Sequence, residues 1–270
     1  MADSITESWN LENSKAFLHV PKTSDNKYRR GVLGCVTGDR KYPGAALMTT
    51  AAALATGVGM VRYLGPRALG REVVQFRPAV VLADGKVDAL LIGSGIGNNP
   101  LARLRVYKAI KRAVPKILDA GALNLVGRCD SRTIITPHAG ELSKLIGVSS
   151  SEIEREPEQH AQMAARRFRV TVLLKGWQTV LANPERVIKL PPAPTWLATA
   201  GTGDVLAGIL GALIAINHEY ITSLNLIEIG ATAAFVHAEA ANRASHGPLD
   251  IEAMINEISN VIYEIADAGK

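Results

Sequence analysis

The feature that most constrains this chain is a unit that recurs along it. An apolar run of strand length gives way to a turn of small residues and then to a segment of helical composition. Strand-like runs lie at 31–38, 57–64, 89–93, 116–123, 132–136 and 170–175, with a weaker one at 79–83. Helical segments lie at 43–54, 101–114, 142–146, 156–168, 202–216 and 227–243, and a further one begins at Leu249. Continuous apolar strands alternating with helices predict an α/β fold: a mostly parallel sheet covered by helices on both faces, with right-handed crossovers. At 270 residues and 47% hydrophobic composition the chain can bury one large core. We therefore expect an N-terminal arm or short helix over 1–26 and a single domain over 27–270.

One of these helices carries chemistry at its start. Over 199–216 a turn of Thr, Ala and Gly runs without proline into an apolar stretch of helical length. The first N–H groups of such a helix lack intrahelical acceptors, and Gly201 and Gly203 let backbone approach an anion closely. Gly201, Thr202 and Gly203 are thus an expected anion hole. Asp204 beside it has two readings. It is an ordinary helix cap, or it is a general base that takes a proton from a hydroxyl attacking a phosphoryl group.

Other turns follow other strands. Asp119 stands at the carboxyl end of the 116–123 run, where ligands of open α/β sheets bind, although capping the next turn would also place it there. His138 and Glu141 lie three apart across a strand-to-helix turn, which reads as a ligand pair or as a capping box led by Thr136. Lys175, Gly176, Trp177, Gln178 and Thr179 bring a cation, a glycine, an indole and a hydroxyl to one strand end, a set suited to a nucleotide, although a plain hairpin turn with an exposed lysine would look the same. His237, at helical spacing among apolar residues, reads as a satisfied interior or interface histidine rather than a ligand.

The bulk properties exclude several classes. The charge of +5 comes from 30 basic and 25 acidic side chains that are spread rather than clustered, and aromatics are 5%, so a nucleic-acid surface is not expected. No apolar run reaches membrane-spanning length, and the polar start lacks a leader pattern. Two cysteines, Cys35 and Cys129, form neither a disulfide framework nor a metal pair. A cytoplasmic enzyme acting on anionic small molecules is the expectation.

In order, the runs Pro43-Gly44-Ala45-Ala46, 92–97, Leu118-Asp119-Ala120-Gly121, Thr136-Pro137-His138-Ala139-Gly140-Glu141, Lys175-Gly176 with Thr179, and Gly201-Thr202-Gly203-Asp204 resemble one family. It is the ADP-dependent (S)-NAD(P)H-hydrate dehydratases of the ribokinase-like superfamily, and the likeness extends from about Lys27 to the C-terminus. The resemblance implies a ribokinase-like three-layer fold and repair of hydrated NADH or NADPH, with ADP or ATP as phosphoryl donor and Mg²⁺ as cofactor. It implies Asp204 as base and substrate contact, and Ala45, Gly97 and His138 as further contacts to the hydrated dinucleotide. Lys175, Gly176, Trp177, Gln178, Thr179 and Gly203 would bind ADP or AMP, and Glu141 and Asp119 would hold Mg²⁺ through water. It further implies a homotetramer and a separate NAD(P)H-hydrate epimerase as functional partner, since a fused epimerase domain is not expected in a chain of this length. Ala200 stands where a further glycine is usual, Thr195-Trp196-Leu197 replaces a more polar approach, and Ser94 replaces a usual proline. A small-alcohol kinase of the same superfamily, which would release a stable phosphoester, and an inactive nucleotide-binding regulator are the rival readings.

Overall fold

The computed structural model describes residues 6–222 and 225–267, so the first five residues of the expected arm lie outside the described residues. In chain order the elements are β1 (Thr6–Ser8), α1 (Leu11–Lys15), β2 (Val32–Val36), α2 (Pro43–Ala55), β3 (Met60–Tyr63), α3 (Arg67–Phe76), β4 (Ala89–Ile92) and α4 (Pro100–Ile110). They continue as β5 (Lys116–Leu118), β6 (Thr133–Ile135), α5 (Ala139–Ile146), α6 (Ser150–Arg155), α7 (Pro157–Phe168), β7 (Thr171–Leu174), β8 (Val180–Ala182) and β9 (Val187–Lys189). The last three helices are α8 (Thr202–Ile216), α9 (Leu226–Ala244) and α10 (Ile251–Asp267).

The strands form one nine-stranded sheet in the order β1-β9-β8-β7-β6-β5-β4-β2-β3. From β3 across to β7 every pairing is parallel, whereas β8 runs antiparallel to both of its neighbours. Alternation along each strand feeds two separate cores. Leu33 and Cys35 of β2, Leu91 of β4 and Leu173 of β7 face a core shared with α2, α8, α9 and α10. Val32 and Val36, Leu90 and Ile92, and Val172 and Leu174 face the opposite core, shared with α4, α5, α6 and α7. The result is the expected three-layer α/β fold.

Helix α8 is apolar all round because it is covered all round. It packs against α2 and α9 and lies on the sheet. The crossing with α2 is close: a methyl group added at Gly208 would sit 2.5 Å from the Thr49 carbonyl oxygen, so only glycine fits there. This contact fixes the height of α8, and with it the loop at its start, against the strand ends.

The elements depart from the sequence reading in several places, and α3, α6, β8 and β9 lie outside the runs it marked. The 79–83 run makes only an isolated bridge between Arg62 and Val81. The strand after 116 stops at Leu118, and a 3-10 helix runs over Ala120–Arg128, entered by Ala120 at φ +42°. The expected arm contributes β1, which pairs with β9 at the sheet edge. Arg186 holds β1 by donating to both carboxylate oxygens of Glu7 and reaches Glu228 of α9 at 3.0 Å.

Candidate functional site

The carboxyl ends of β4, β5, β6 and β7 each deliver a polar side chain to the same place. Asp119, one residue past β5, is 3% exposed. It caps nothing. Its Oδ2 accepts from Ser94 Oγ at 2.8 Å, and its Oδ1 accepts from Thr136 Oγ1 at 2.7 Å and from Lys175 Nζ at 3.1 Å. Residues following three neighbouring strands are therefore tied to this one carboxylate. Ser94, an oddity in the sequence, gains a task here: its hydroxyl satisfies the oxygen that Lys175 does not reach.

Lys175 is positioned by its backbone, whose N–H donates to the Pro137 carbonyl at 2.8 Å, so that it bridges to His138 in the parallel sense. Its ammonium lies between two carboxylates, with Glu141 Oε2 at 3.9 Å. His138 and Glu141 form a capping box at the start of α5, with His138 itself, not Thr136, as the cap. His138 Nδ1 accepts from the Gly140 N–H, and Glu141 Oε2 accepts from the His138 N–H at 3.0 Å. His138 Nε2 lies 3.5 Å from Glu141.

The anion loop approaches this cluster from the other side. Gly201 caps α8 at φ +98°, a left-handed geometry that favours glycine, and an added methyl group would lie 2.5 Å from Met48 Sδ. Met48 belongs to α2, so the start of α2 lies beside the loop. Thr202 Oγ1 donates to the Leu197 and Thr199 carbonyls, each at 2.9 Å. The Thr202 carbonyl in turn accepts from His237 Nε2 at 2.9 Å. Burial pushes the His237 pKa down to about 4, so at neutral pH the ring is uncharged, with its proton on Nε2 as the carbonyl requires. His237 is thus the satisfied interior histidine expected, and its partner is the loop itself.

Asp204 is the third residue of α8 and makes no capping hydrogen bond. Its pKa is pushed up to about 6, mainly by burial and then by the negative charge of Asp119, with Lys175 acting in the opposite direction. A carboxylate with a pKa near the working pH, set at a helix start facing a lysine, can exchange protons with a bound hydroxyl. Gly203 is adjacent: a methyl group there would come 3.7 Å from Lys175 Nζ.

The remaining expected residues line the approaches. Ala45, at the first turn of α2, lies where a methyl group added at Gly95 would collide with it, 2.4 Å from its Cβ. Gly97 faces Asp39, which also accepts from Asn99 Nδ2 at 2.9 Å. Gly176, Trp177, Gln178 and Thr179 form the turn between β7 and β8, with Trp177 65% exposed. The Trp177 carbonyl accepts from the Ala193 N–H at 2.9 Å, so this turn and the proline connector leading to Trp196 and the loop share one wall.

Among the described residues no group of three or more His, Cys, Asp or Glu side chains is placed to hold a metal. A hydrated Mg²⁺ would need no such cluster, because it takes few carboxylates and relies on waters and substrate phosphates. Glu141 suits this role, with Oε1 free of hydrogen bonds among the described residues, while the oxygens of Asp119 are already engaged. Sequence reasoning missed Ser94 and Thr136 as partners of Asp119, because hydroxyls near strand ends carry no distinguishing spacing.

A family model described as NAD(P)H-hydrate dehydratase matches residues 33–262. The bifunctional NAD(P)H-hydrate repair enzyme Nnr of Mycobacterium leprae is 38% identical over 87% of this chain and 51% of its own length. The chain thus spans about half the length of that relative. The ADP-dependent (S)-NAD(P)H-hydrate dehydratase of Xanthomonas campestris is 29% identical, covering 83% of this chain and 84% of its own. Among solved structures, the ADP/ATP-dependent NAD(P)H-hydrate dehydratase of Bacillus subtilis, co-crystallized with ATP/Mg²⁺, superposes with a TM-score of 0.80 at 24% identity, covering 98% of each chain. The chain belongs to the NAD(P)H-hydrate dehydratase family and has its ribokinase-like fold.

Proposed function

We propose that this chain dehydrates the S form of hydrated NADH and NADPH, using ADP or ATP as phosphoryl donor. The observation that carries the reading is the half-buried Asp204, its pKa raised to about 6, set between the glycine-lined start of α8 and the Lys175–Asp119 pair.

The ring hydroxyl of the hydrated cofactor attacks the terminal phosphorus of ADP, and Asp204 takes the hydroxyl proton as the new O–P bond forms and AMP leaves. The N–H groups of Gly201, Thr202 and Gly203 stabilise charge on the transferring oxygens, and Lys175 offsets charge on the donor. The C–O bond then breaks with its electron pair going to phosphate, driven by the ring nitrogen lone pair. Loss of a proton from the neighbouring ring carbon restores the dihydropyridine.

Ala45, Gly97 and His138 would bind the hydrated dinucleotide. Lys175, Gly176, Trp177, Gln178, Thr179 and Gly203 would bind the nucleotide. Glu141, through water and with Asp119 behind it, would hold Mg²⁺, which supplies charge neutralisation to the phosphates. A homotetramer working in the cytoplasm beside a separate NAD(P)H-hydrate epimerase completes the reading. Both cysteines are free, as a reducing compartment requires, and among the described residues no helix is long and apolar enough to cross a membrane.

The test is absorbance at 340 nm on adding the protein to hydrated NADH with Mg²⁺ and either ADP or ATP. A donor-dependent rise, abolished by Asp204→Ala, is expected. A stable phosphoester with no rise would overturn the dehydratase reading in favour of a kinase.

A further inference from the structure

Strand β2 is where the sheet changes direction. The chain leaves it for β3 on one side, and β4, β5, β6 and β7 are then added on the other. The loops that follow β2 and β4 therefore part, the first leading to α2 on one face of the sheet and the second to α4 on the opposite face. A crevice opens between diverging loops of this kind, and ligands of open α/β sheets settle there. One rim of it carries Ala45 and the other Gly97, two of the proposed contacts to the hydrated dinucleotide.

A pair of side chains crosses this crevice. Asp39, in the loop after β2, accepts through Oδ2 from Asn99 Nδ2 at 2.9 Å. Each partner is also held at its own end. Asp39 Oδ1 accepts from the Arg40 N–H at 2.6 Å, and the Asp39 carbonyl accepts from the Tyr42 N–H at 2.9 Å. Asn99 Oδ1 accepts from the Ala102 N–H at 2.9 Å and so caps α4. With its oxygen committed to the cap, Asn99 presents its amide hydrogens to the crevice, and the carboxylate of Asp39 can only accept. The rims touch directly as well. A methyl group added at Gly97 would lie 2.7 Å from Asp39 Oδ2, and one added at Gly95 would lie 2.4 Å from Ala45 Cβ. Moving either end of the bond therefore moves a rim that carries a substrate contact. Asn99 is exposed and Asp39 half-buried, so water competes for both and folding gains little from the bond.

We propose that Asp39 and Asn99 are positioning residues for the hydrated dinucleotide: their bond fixes the spacing of Ala45 and Gly97 across the crevice. The proposal rests on the reading of those two residues as substrate contacts. It separates the two ligands, because the proposed nucleotide contacts follow β7 or begin α8 and hang on neither rim.

The polarity of the bond supplies the test. Asn99→Asp keeps the cap of α4, since aspartate caps helices about as well as asparagine, but it sets two carboxylates face to face. Asp39→Asn combined with Asn99→Asp restores the bond with donor and acceptor exchanged and returns the net charge to that of the wild type. Asp39→Ala removes the bond and a negative charge together. Hydrated NADH is titrated calorimetrically into the full chain, and turnover with Mg²⁺ and ADP is followed at 340 nm. Asn99→Asp should weaken hydrated NADH about tenfold in Kd and KM, and the double variant should return both to within about twofold of the wild type. KM for ADP should stay within about twofold throughout. Amide hydrogen exchange over residues 39–45 and 95–102 should quicken in Asn99→Asp and slow again in the double variant. Asp39→Ala should also bind hydrated NADH more weakly; tighter binding there would make charge rather than spacing the cause and overturn the proposal. Unchanged affinity in Asn99→Asp, or a double variant no better than the single one, overturns it too. A wild type that binds hydrated NADH without a donor-dependent rise would sink the dehydratase reading, and the binding series alone would then decide the role of Asp39 and Asn99. A wild type with neither binding nor turnover overturns both.

Discussion

Lys175 donates from Nζ to Asp119 Oδ1 across 3.1 Å, tying the end of β7 to the end of β5 beneath the start of α8. The pair sets the charge that Asp204 experiences, because Asp119 raises its pKa and Lys175 lowers it. Replacing the lysine with a shape mimic, Lys175→Met, removes the cation and leaves a buried carboxylate with two hydroxyl donors. We expect kcat/KM for the nucleotide to fall on the order of 10²-fold, measured with the donor varied at saturating hydrated NADH. An unchanged value would remove Lys175 from nucleotide binding.

The pH profile follows from the same charges. Asp204 acts as a base only when ionised, so activity should rise with pH through a limb near pH 6. Asp119→Asn removes the like charge and should move that limb to lower pH. Lys175→Met removes the opposing charge and should move it higher. Both limbs can be read from kcat between about pH 4.5 and 8, a range of roughly 3.5 units that brackets the shift.

Stability should run against activity at position 204. The folded pKa of about 6 lies above the ordinary value of 3.8. The folded state therefore holds its proton longer than the unfolded chain, and stability is lost as pH rises from about 4 through 6. Above that window Asp204→Asn should be more stable than the wild type by about 1–3 kcal/mol and inactive. Urea unfolding at pH 7.5 checks the first point, and a gain that persists unchanged at pH 3.5 would refute it.

His237 tests whether the loop must be held from behind. Its Nε2–H supports the Thr202 carbonyl, and His237→Leu removes that second donor, leaving only the helix bond from the Leu206 N–H, at a cost of about 1 kcal/mol. The apparent KM for the nucleotide should rise while the pH limb stays near 6, since His237 is already neutral there. His237→Gln, which can donate to the same carbonyl, should recover part of the affinity.

How much of this was legible in the sequence depends on how local each signal is. The alternation of Leu33 and Cys35 against Val32 and Val36, and the uninterrupted apolar run of α8, announce buried strands and a buried helix directly. The glycine turn before Asp204 announces an anion site because its physics is confined to a few adjacent residues. The bond from Ser94 to Asp119 spans 25 positions and that from Thr202 to His237 spans 35. Such pairings become visible only when strand order is known. Strand β1 is short and polar, and it exists because β9 and Arg186 hold it, which no local pattern encodes.

Ser94 offers the sharpest test of that long-range chemistry. Its hydroxyl donates at 2.8 Å to Asp119 Oδ2, the oxygen that neither Thr136 nor Lys175 serves. Ser94→Ala leaves that oxygen, in a residue only 3% exposed, without a donor. The negative charge on Asp119 is then less screened, and its effect on Asp204 grows. Two consequences follow together: a loss of about 1–2 kcal/mol in stability, and an acid limb of kcat displaced to higher pH. A purely packing role for Ser94 would give the first without the second. Ser94→Thr, which keeps the hydroxyl, should hold the limb where the wild type has it even if the added methyl group costs stability. Stopped-flow absorbance at 340 nm across the pH range, with urea unfolding of the same three proteins, separates the two accounts.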